Sequence, residues 1–272
     1  MATINTNVGA MVALRNLSSV NSALEMTQKK ISTGYKVADA YDDGASWAVA
    51  QSLRGQMNAI TAVNERLAVG KGMVDVAVKA GENISSAMLQ VQTVLTKLAD
   101  GSMTGSDRTN YEAQYNALKN DILNFIQDAV YNNVTLINTS SNQSIISNVS
   151  GSNISITAQN LMSVVYNSLS AVTGSYSSAA GMIASTGGYS TALTNLGLAM
   201  NQLASDARRI TNQINFNNAI SDATNAGLGN IVDADLAKES ANLQALQVKQ
   251  QLSTQALSLA NQAPQSLLSL FK

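Results

Sequence analysis

A chain of 272 residues holds one or two ordinary domains, and its 16 Lys and Arg against 17 Asp and Glu leave a net charge of −1. That balance excludes global steering toward nucleic acid or anionic lipid. The chain has no His and no Cys, which excludes Ser–His and Cys–His nucleophile pairs, zinc sites built on those ligands, and disulfides. Hydrophobic residues make up 45% but aromatics only 4%, a mixture that suits long, closely packed helices better than a bulky globular core. Pro264 is the one proline, so helices can run long with almost no enforced breaks.

At the start of the chain, Arg15 is the only charged side chain from Met1 to Leu24. Ala10, Leu14, Leu17, Leu24 and Ile31 keep a heptad that Asn21 and Gln28 interrupt. No uninterrupted apolar core of a secretory signal follows Arg15, and no stretch approaches the ~18 apolar residues of a membrane span. Neither Sec-type targeting nor membrane insertion is expected.

The next segment carries the strongest periodicity. Val49, Leu53, Gln56, Ile60, Val63, Leu67, Gly70, Val74, Ala77, Gly81, Ile84, Met88, Val91, Leu95 and Leu98 alternate spacings of four and three. Only Gln56, Gly70 and Gly81 on that stripe are not apolar. A repeat of 3.5 residues sustained this long predicts one long helix wound against partners, with Asp43 capping it at Ala45. Tyr111, Tyr115, Leu118, Ile122, Phe125 and Ala129 predict a second helix, with Asp107 as its N-cap. Leu193, Leu196, Met200, Leu203, Ala207, Ile210 and Ile214 predict a third. Stripes that cannot be buried alone imply a bundle.

Between them, Thr139 to Gly188 is rich in Ser, Asn, Thr and Gly and reads as a surface excursion. Within it, Gln143–Asn148 and Asn153–Ala158 flank Ser150-Gly151-Ser152 as a hairpin. Asn160–Val172 reads as a short helix and Gly174–Gly188 as a loop.

The last segment is unusual. From Ser240 to Phe271 the only charge is Lys249. At roughly 100° per residue this helix has two apolar stripes on opposite sides. One is Ala241, Ala245, Val248, Leu252, Ala256, Leu259 and Ala263; the other includes Leu236, Leu243, Leu246, Leu257 and Ala260. One stripe can cover the N-terminal helix of the same chain. The other then faces water, and an exposed stripe of this length marks an interaction surface.

Catalytic chemistry is sparse. Asp42-Asp43-Gly44 and Asp233/Asp235 are tight carboxylate clusters, but each sits at a helix start, where Asp43 and Asp233 serve as caps. Gly70-Lys71-Gly72 lacks the remaining residues of a phosphate loop and lies within the heptads. No catalytic, cofactor or metal residue is assigned.

Longer motifs then become legible. Ile4-Asn5-Thr6-Asn7, Ile31-Ser32-Thr33-Gly34-Tyr35-Lys36-Val37 and Asp39-Ala40-Tyr41-Asp42-Asp43-Gly44-Ala45 resemble the N-terminal pattern of bacterial flagellins. Ile231-Val232-Asp233-Ala234-Asp235-Leu236-Ala237-Lys238-Glu239 and Leu259-Ala260-Asn261-Gln262-Ala263-Pro264-Gln265-Ser266-Leu267-Leu268-Ser269-Leu270-Phe271 are similar to the C-terminal pattern. The resemblance covers roughly the first 135 and the last 80 residues, and its motifs are long and ordered.

The resemblance implies a mainly α fold, with long heptad-patterned helices in a coiled-coil bundle and a small β-hairpin. Residues 1–40 and 232–272 would pair as an inner coiled coil. Residues 41–138 and 189–231 would form the surrounding bundle, and 139–188 the hairpin and surface loop. It implies a non-enzymatic filament subunit for swimming motility, exported through the flagellum's own secretion channel to the cell exterior. Its partners would be other flagellin subunits, an export chaperone, and cap and junction proteins. The alternative is a hook–filament junction protein; the Asn261–Phe271 motif favours flagellin. A flagellin with an inserted protease is excluded, since its zinc motif needs His.

The implied polymerisation residues are Ile4, Leu14, Leu17, Leu24, Ile31, Leu243, Leu246, Val248, Leu252, Leu257, Leu259, Leu267, Leu268, Leu270 and Phe271. Flagellins are often O-glycosylated, which makes Ser150, Ser152, Thr173, Ser175, Ser177, Ser178, Ser185 and Thr186 candidates. Flagellins seen by the vertebrate Toll-like receptor carry a patch of the form Q-R-V-R-E-L. Leu89-Gln90-Val91-Gln92-Thr93-Val94 aligns with it, so Gln90, Gln92 and Thr93 stand where that patch has Arg, Arg and Glu.

Overall fold

The structure is a computed structural model that describes residues 6–269, with side chains as far as Gln262. It is mainly helical. Helices α1 (Val8–Thr33), α2 (Gly44–Leu98) and α3 (Gly105–Asp128) come first, followed by two small antiparallel hairpins. These are β1 (Val130–Tyr131) with β2 (Val134–Thr135), and β3 (Gln143–Ile146) with β4 (Asn153–Ile156). A π-helical turn (Met162–Tyr166), α4 (Tyr176–Ile183), α5 (Gly188–Val232) and α6 (Leu236–Ser269) complete the chain.

The chain divides into two units, one of residues 58–221 and one of residues 1–57 with 222–272. In the first, every position of the α2 stripe from Ile60 to Leu98 is buried. The two glycines of that stripe are packing sites. A Cβ on Gly70 would collide with the end of Ile145, and one on Gly81 with Met200 Sδ. The neighbouring side chains occupy the volume that the stripe's missing side chains leave, which is why small residues stand at core positions. Gly81→Leu is therefore expected to destabilise this unit by about 1–3 kcal/mol through overpacking, although Leu is the better helix former. Urea unfolding measures it, and an unchanged midpoint would refute the close approach.

Tyr115, Leu118, Ile122 and Ile126 of α3 and Leu196, Ala199, Leu203 and Ile210 of α5 join the same core. Asp107 does not cap α3. It lies in the first turn, where it still meets the positive end of the dipole, and the preceding residue Thr104 makes no side-chain cap. The β1–β2 turn, not anticipated above, has Asn132 and Asn133 at φ 49° and 62°. Positive φ at both central residues is the geometry of a two-residue hairpin, and Asn tolerates it.

Residues 139–188 depart most from the sequence reading. The hairpin is present, paired Gln143 with Ile156 through Ile146 with Asn153. The segment also buries Ile145, Ile154, Ile156, Leu161, Val165, Leu169, Val172, Ala179 and Met182 in the core. The stretch expected as a short helix makes only the π-helical turn, and the expected loop contains α4. Ser175 caps α4 by accepting from the amide of Ser177. Tyr115, fully buried on α3, donates its hydroxyl to the carbonyl of Ser170 at 2.7 Å, and burial pushes its pKa up. A buried tyrosine needs such a partner, and here it ties the segment to α3.

Asp206 on α5, 1% exposed, is a second tie. Its carboxylate accepts from the amide of Thr157 at 2.8 Å and from Gln202 Nε2 at 3.2 Å, and it pairs with Arg209 at 3.2 Å. Arg209 also donates to the carbonyl of Ser155. One carboxylate thus anchors the end of β4 to α5.

Candidate functional site

The unit formed by residues 1–57 and 222–272 contains a helix pair and a small core. Val37, Ala50, Leu228 and Val232 are buried there, with Trp47, Leu53, Met57 and Ile231 packed around them. The chain reverses through Gly34, which ends α1 at φ 74° and donates its amide to the carbonyl of Lys30. Tyr35 then bridges to Asp233, and the amide of Lys36 donates to the carbonyl of Val232. Asp43 caps α2, accepting from the amides of Ala45 and Ser46 at 3.0 and 3.2 Å. The cap of α6 is Asp235 rather than Asp233, accepting from Ala237 and Lys238 at 3.0 and 3.1 Å. Asp233 belongs to the bridge with Tyr35, one residue past the end of α5.

Helices α1 and α6 run antiparallel. Asn7 meets Ala260, Asn21 accepts from Gln250 Nε2 at 2.8 Å, and Lys30 Nζ lies 3.9 Å from Glu239. Asn7 has two roles. Its Oδ1 accepts from the amide of Ala10 and caps α1, while its Nδ2 donates to the carbonyl of Ala260 at 2.7 Å. Pro264 has no amide hydrogen to offer that carbonyl four residues back. The two terminal sequence motifs therefore meet at one hydrogen bond.

Leu17, Leu24 and Ile31 of α1 and Leu243, Leu246, Leu257 and Ala260 of α6 are half-buried between the helices. The second α6 stripe faces outward: Ala241, Ala245, Val248, Leu252, Ala256 and Leu259 are exposed, Leu259 by 70%. Leu236, grouped above with the covered stripe, is exposed as well. Leu14 is exposed beside Met11 on α1. Thr27 is the single buried residue of α1. Of the other implied polymerisation residues, Ile4, Leu270 and Phe271 lie outside the described residues, as do the side chains of Leu267 and Leu268.

The connection between α1 and α2 is clamped by charge. Lys29 Nζ donates to Asp39 at 2.7 Å and to Asp42 at 2.8 Å. Asp42 Oδ2 accepts from the amides of Ala38 and Asp39, and Asp39 Oδ1 from those of Tyr41 and Asp42. Donation from Lys29 holds both carboxylates below the ordinary value of 3.8, and the same contacts hold Lys29 above 10.5. A lowered carboxylate stabilises the fold above 3.8 and loses that contribution as pH falls through its folded value. A raised lysine stabilises below 10.5 and loses it as pH rises further. The turn is thus expected to stay closed at neutral pH and to open in acid below about 4. The protection of the Tyr41 amide, taken against the intrinsic exchange rate at each pH, measures it, and protection that does not fall in acid would refute the clamp.

Gln90, Gln92 and Thr93 are exposed on α2. Gln92 Oε1 accepts from the Tyr189 hydroxyl at 3.3 Å, and Thr93 Oγ1 donates back to the carbonyl of Leu89. Among the candidate glycan acceptors, Ser150, Ser152, Thr173, Ser177, Ser185 and Thr186 are exposed. Ser175 is exposed but engaged as the cap of α4, and Ser178 is half-buried within that helix.

Residues 4–142 match the bacterial flagellin N-terminal helical region and residues 187–271 the C-terminal helical region. Flagellin FljN of Caulobacter vibrioides is 40% identical, with 99% of this chain and 98% of that protein aligned. Flagellin FljM of the same organism is 37% identical over the same shares. A flagellin of Brucella melitensis is 34% identical, with both chains covered in full. A solved Bacillus cereus flagellin superposes on 66% of this chain and 94% of its own at a TM-score of 0.37 and 14% identity, too slight a likeness to bear on the argument. With both terminal regions matched and relatives aligned along the whole length, the chain belongs to the bacterial flagellin family, the structural subunits of the extracellular flagellar filament.

Proposed function

We propose that this flagellin polymerises through the outward stripe of α6 and the exposed face of α1, burying Leu14, Val248, Leu252 and Leu259 against other subunits. Leu17, Leu24, Ile31, Leu243, Leu246 and Leu257 hold the helix pair together, and Ile4, Leu267, Leu268, Leu270 and Phe271 extend the contact. The carrying observation is a row of apolar residues on α6 that the chain itself leaves in water. In the filament, residues 1–40 with 232–272 form the inner layer, 41–138 with 189–231 the bundle around it, and 139–188 its outer side. Export passes through the flagellar secretion channel, with a chaperone, a cap and junction proteins as transient partners. Negative-stain microscopy of heated, cooled and seeded protein tests the reading. Long filaments are the expected result, and short non-growing assemblies would favour the junction protein instead.

Two further expectations concern the outer surface. Glycans on this surface would go to Ser150, Ser152, Thr173, Ser185 or Thr186, because the Ser175 and Ser177 hydroxyls bond to each other at the start of α4 and Ser178 is half-buried. An intact filament mass equal to that of the bare polypeptide would exclude them. The receptor patch lacks the rigid, permanently charged fork of Arg, which Gln90 and Gln92 cannot reproduce. Losing a charged pair at an interface centre costs ~2–5 kcal/mol, so the Toll-like receptor is expected to respond at least about thirtyfold more weakly than to an Arg-bearing flagellin. A reporter-cell dose–response measures this, and equal potency would refute it.

A further inference from the structure

Tyr41 is 99% exposed, the most exposed large apolar side chain among the described residues. The backbone beneath it is nevertheless tightly held. Its amide donates to Asp39 Oδ1 at 2.9 Å, and Lys29 bridges Asp39 to Asp42. A ring that touches nothing in its own chain, on a turn fixed by several charge-assisted bonds, is preorganised for contact with something else.

The same unit contains an open cleft of about 710 Å³, whose lining includes Tyr35, Arg54, Asn225, Asn230, Asp233 and Asp235. Its size falls within the ~300–1,000 Å³ of ordinary binding pockets. Its chemistry suits a phenol: a guanidinium for the ring face, carboxylates to accept a hydrogen bond from the hydroxyl, and asparagine amides in the lining. Gly229 also lines the cleft, and a Cβ there would come within 2.7 Å of Asp233 Oδ2, so the glycine leaves that carboxylate its place against the helix backbone. Tyr41 does not line this cleft in its own chain.

We propose that Tyr41 of one subunit inserts into the cleft between Arg54 and Asp233 of a neighbouring copy. This rests on the self-assembly reading and names one contact within it. A knob and a cleft on different patches of one chain make a heterologous contact, which repeats as an open helical polymer wherever its rotation does not close a ring, whereas a self-complementary patch closes as a dimer. A second copy is the occupant that the family's filament supplies.

The absence of native Cys makes the test clean. Filaments of a chain carrying both Tyr41→Cys and Asn225→Cys are treated with a short bismaleimide and run on a denaturing gel. The expected result is a ladder extending well beyond dimers, with at most dimers from either single variant. Separately, Tyr41→Ser is expected to raise the monomer concentration left in equilibrium with filaments by about ten- to a hundredfold, and Tyr41→Trp to restore it. Trp47 fluorescence confirms that the unit is folded in the cysteine and serine variants, and far-ultraviolet circular dichroism does so for the tryptophan variant. Long filaments of the double variant without a ladder would overturn the pairing and leave self-assembly standing. Should the double variant not polymerise, the serine variant decides, and parent-like growth overturns the pairing. A parent chain that forms no filament when seeded overturns both readings.

Discussion

Removing residues 252–272 is expected to leave a monomer whose 58–221 unit is still folded but which cannot grow filaments. The deletion takes away Leu252 and Leu259, exposed by 58% and 70% on the outward stripe, together with Leu257 of the inward one. It also removes Leu267, Leu268, Leu270 and Phe271. At ~1.5–3 kcal/mol for each large apolar side chain buried on assembly, the loss is on the order of 10 kcal/mol per subunit. That is comparable with the whole free energy of a micromolar to nanomolar contact. A milder variant isolates the stripe. Leu252→Ser with Leu259→Ser forfeits about 3–6 kcal/mol in the polymer while costing the monomer little, because both residues already face water. Sedimentation and microscopy measure the outcome, with the thermal transition of the 58–221 unit as the folding control. Filament growth at the parental concentration would refute the assignment.

The second large effect is expected at Asp206. Asp206→Ala leaves the half-buried amide of Thr157 without its acceptor and releases Gln202 and Arg209. Hydrogen bonds to a charged group contribute ~1.5–3 kcal/mol, and stranding a donor that water reaches only in part adds to the loss. Arg209 is half exposed and regains water, which keeps the total near about 3 kcal/mol rather than the upper end for a broken buried pair. For a unit of this size that corresponds to a fall of about 6–12 °C in Tm. Asp206→Asn retains an acceptor and is expected to cost about a third as much. Faster amide exchange at Ile154 and Ile156 would locate the damage at the hairpin. A calorimetric Tm unchanged in the alanine variant would show that the carboxylate does not hold it.

Much of the helical frame was readable without coordinates, because burial along a helix repeats on a period that the chain itself displays. The α2 stripe from Ile60 to Leu98 is buried position by position, and two opposed stripes on α6 could be seen before any partner was known. The terminal motifs also identified the family, since each long run constrains many residues at once. The caps show where local reading stops. Asp43, Asp233, Asp235 and Asp107 all stand near helix starts, and the choice among them depends on where the chain turns. At the start of α6 the chain turns where Asp233 bridges to Tyr35, nearly two hundred residues away, which leaves the cap to Asp235.

The 139–188 segment has the pattern of a surface excursion yet supplies core residues, for a related reason. Its Ile145, Ile154, Ile156 and Leu161 are sparse among Ser and Asn, and no local period marks them as core. Their burial is decided by surfaces far away in sequence, such as Gly70, whose missing side chain Ile145 fills. Asp206 carries no local signal at all, since its partner amide belongs to Thr157. The sequence by itself determined that α6 has two apolar faces, that both terminal segments carry a helical pattern, and that no histidine or cysteine chemistry is possible. Only the tertiary structure decided which face of α6 meets α1 and which is left for other subunits. The two faces are similarly apolar, so periodicity cannot rank them; the choice falls to single polar contacts along the pair, Asn7 at one end on the carbonyl that Pro264 leaves free and Asn21 midway on Gln250.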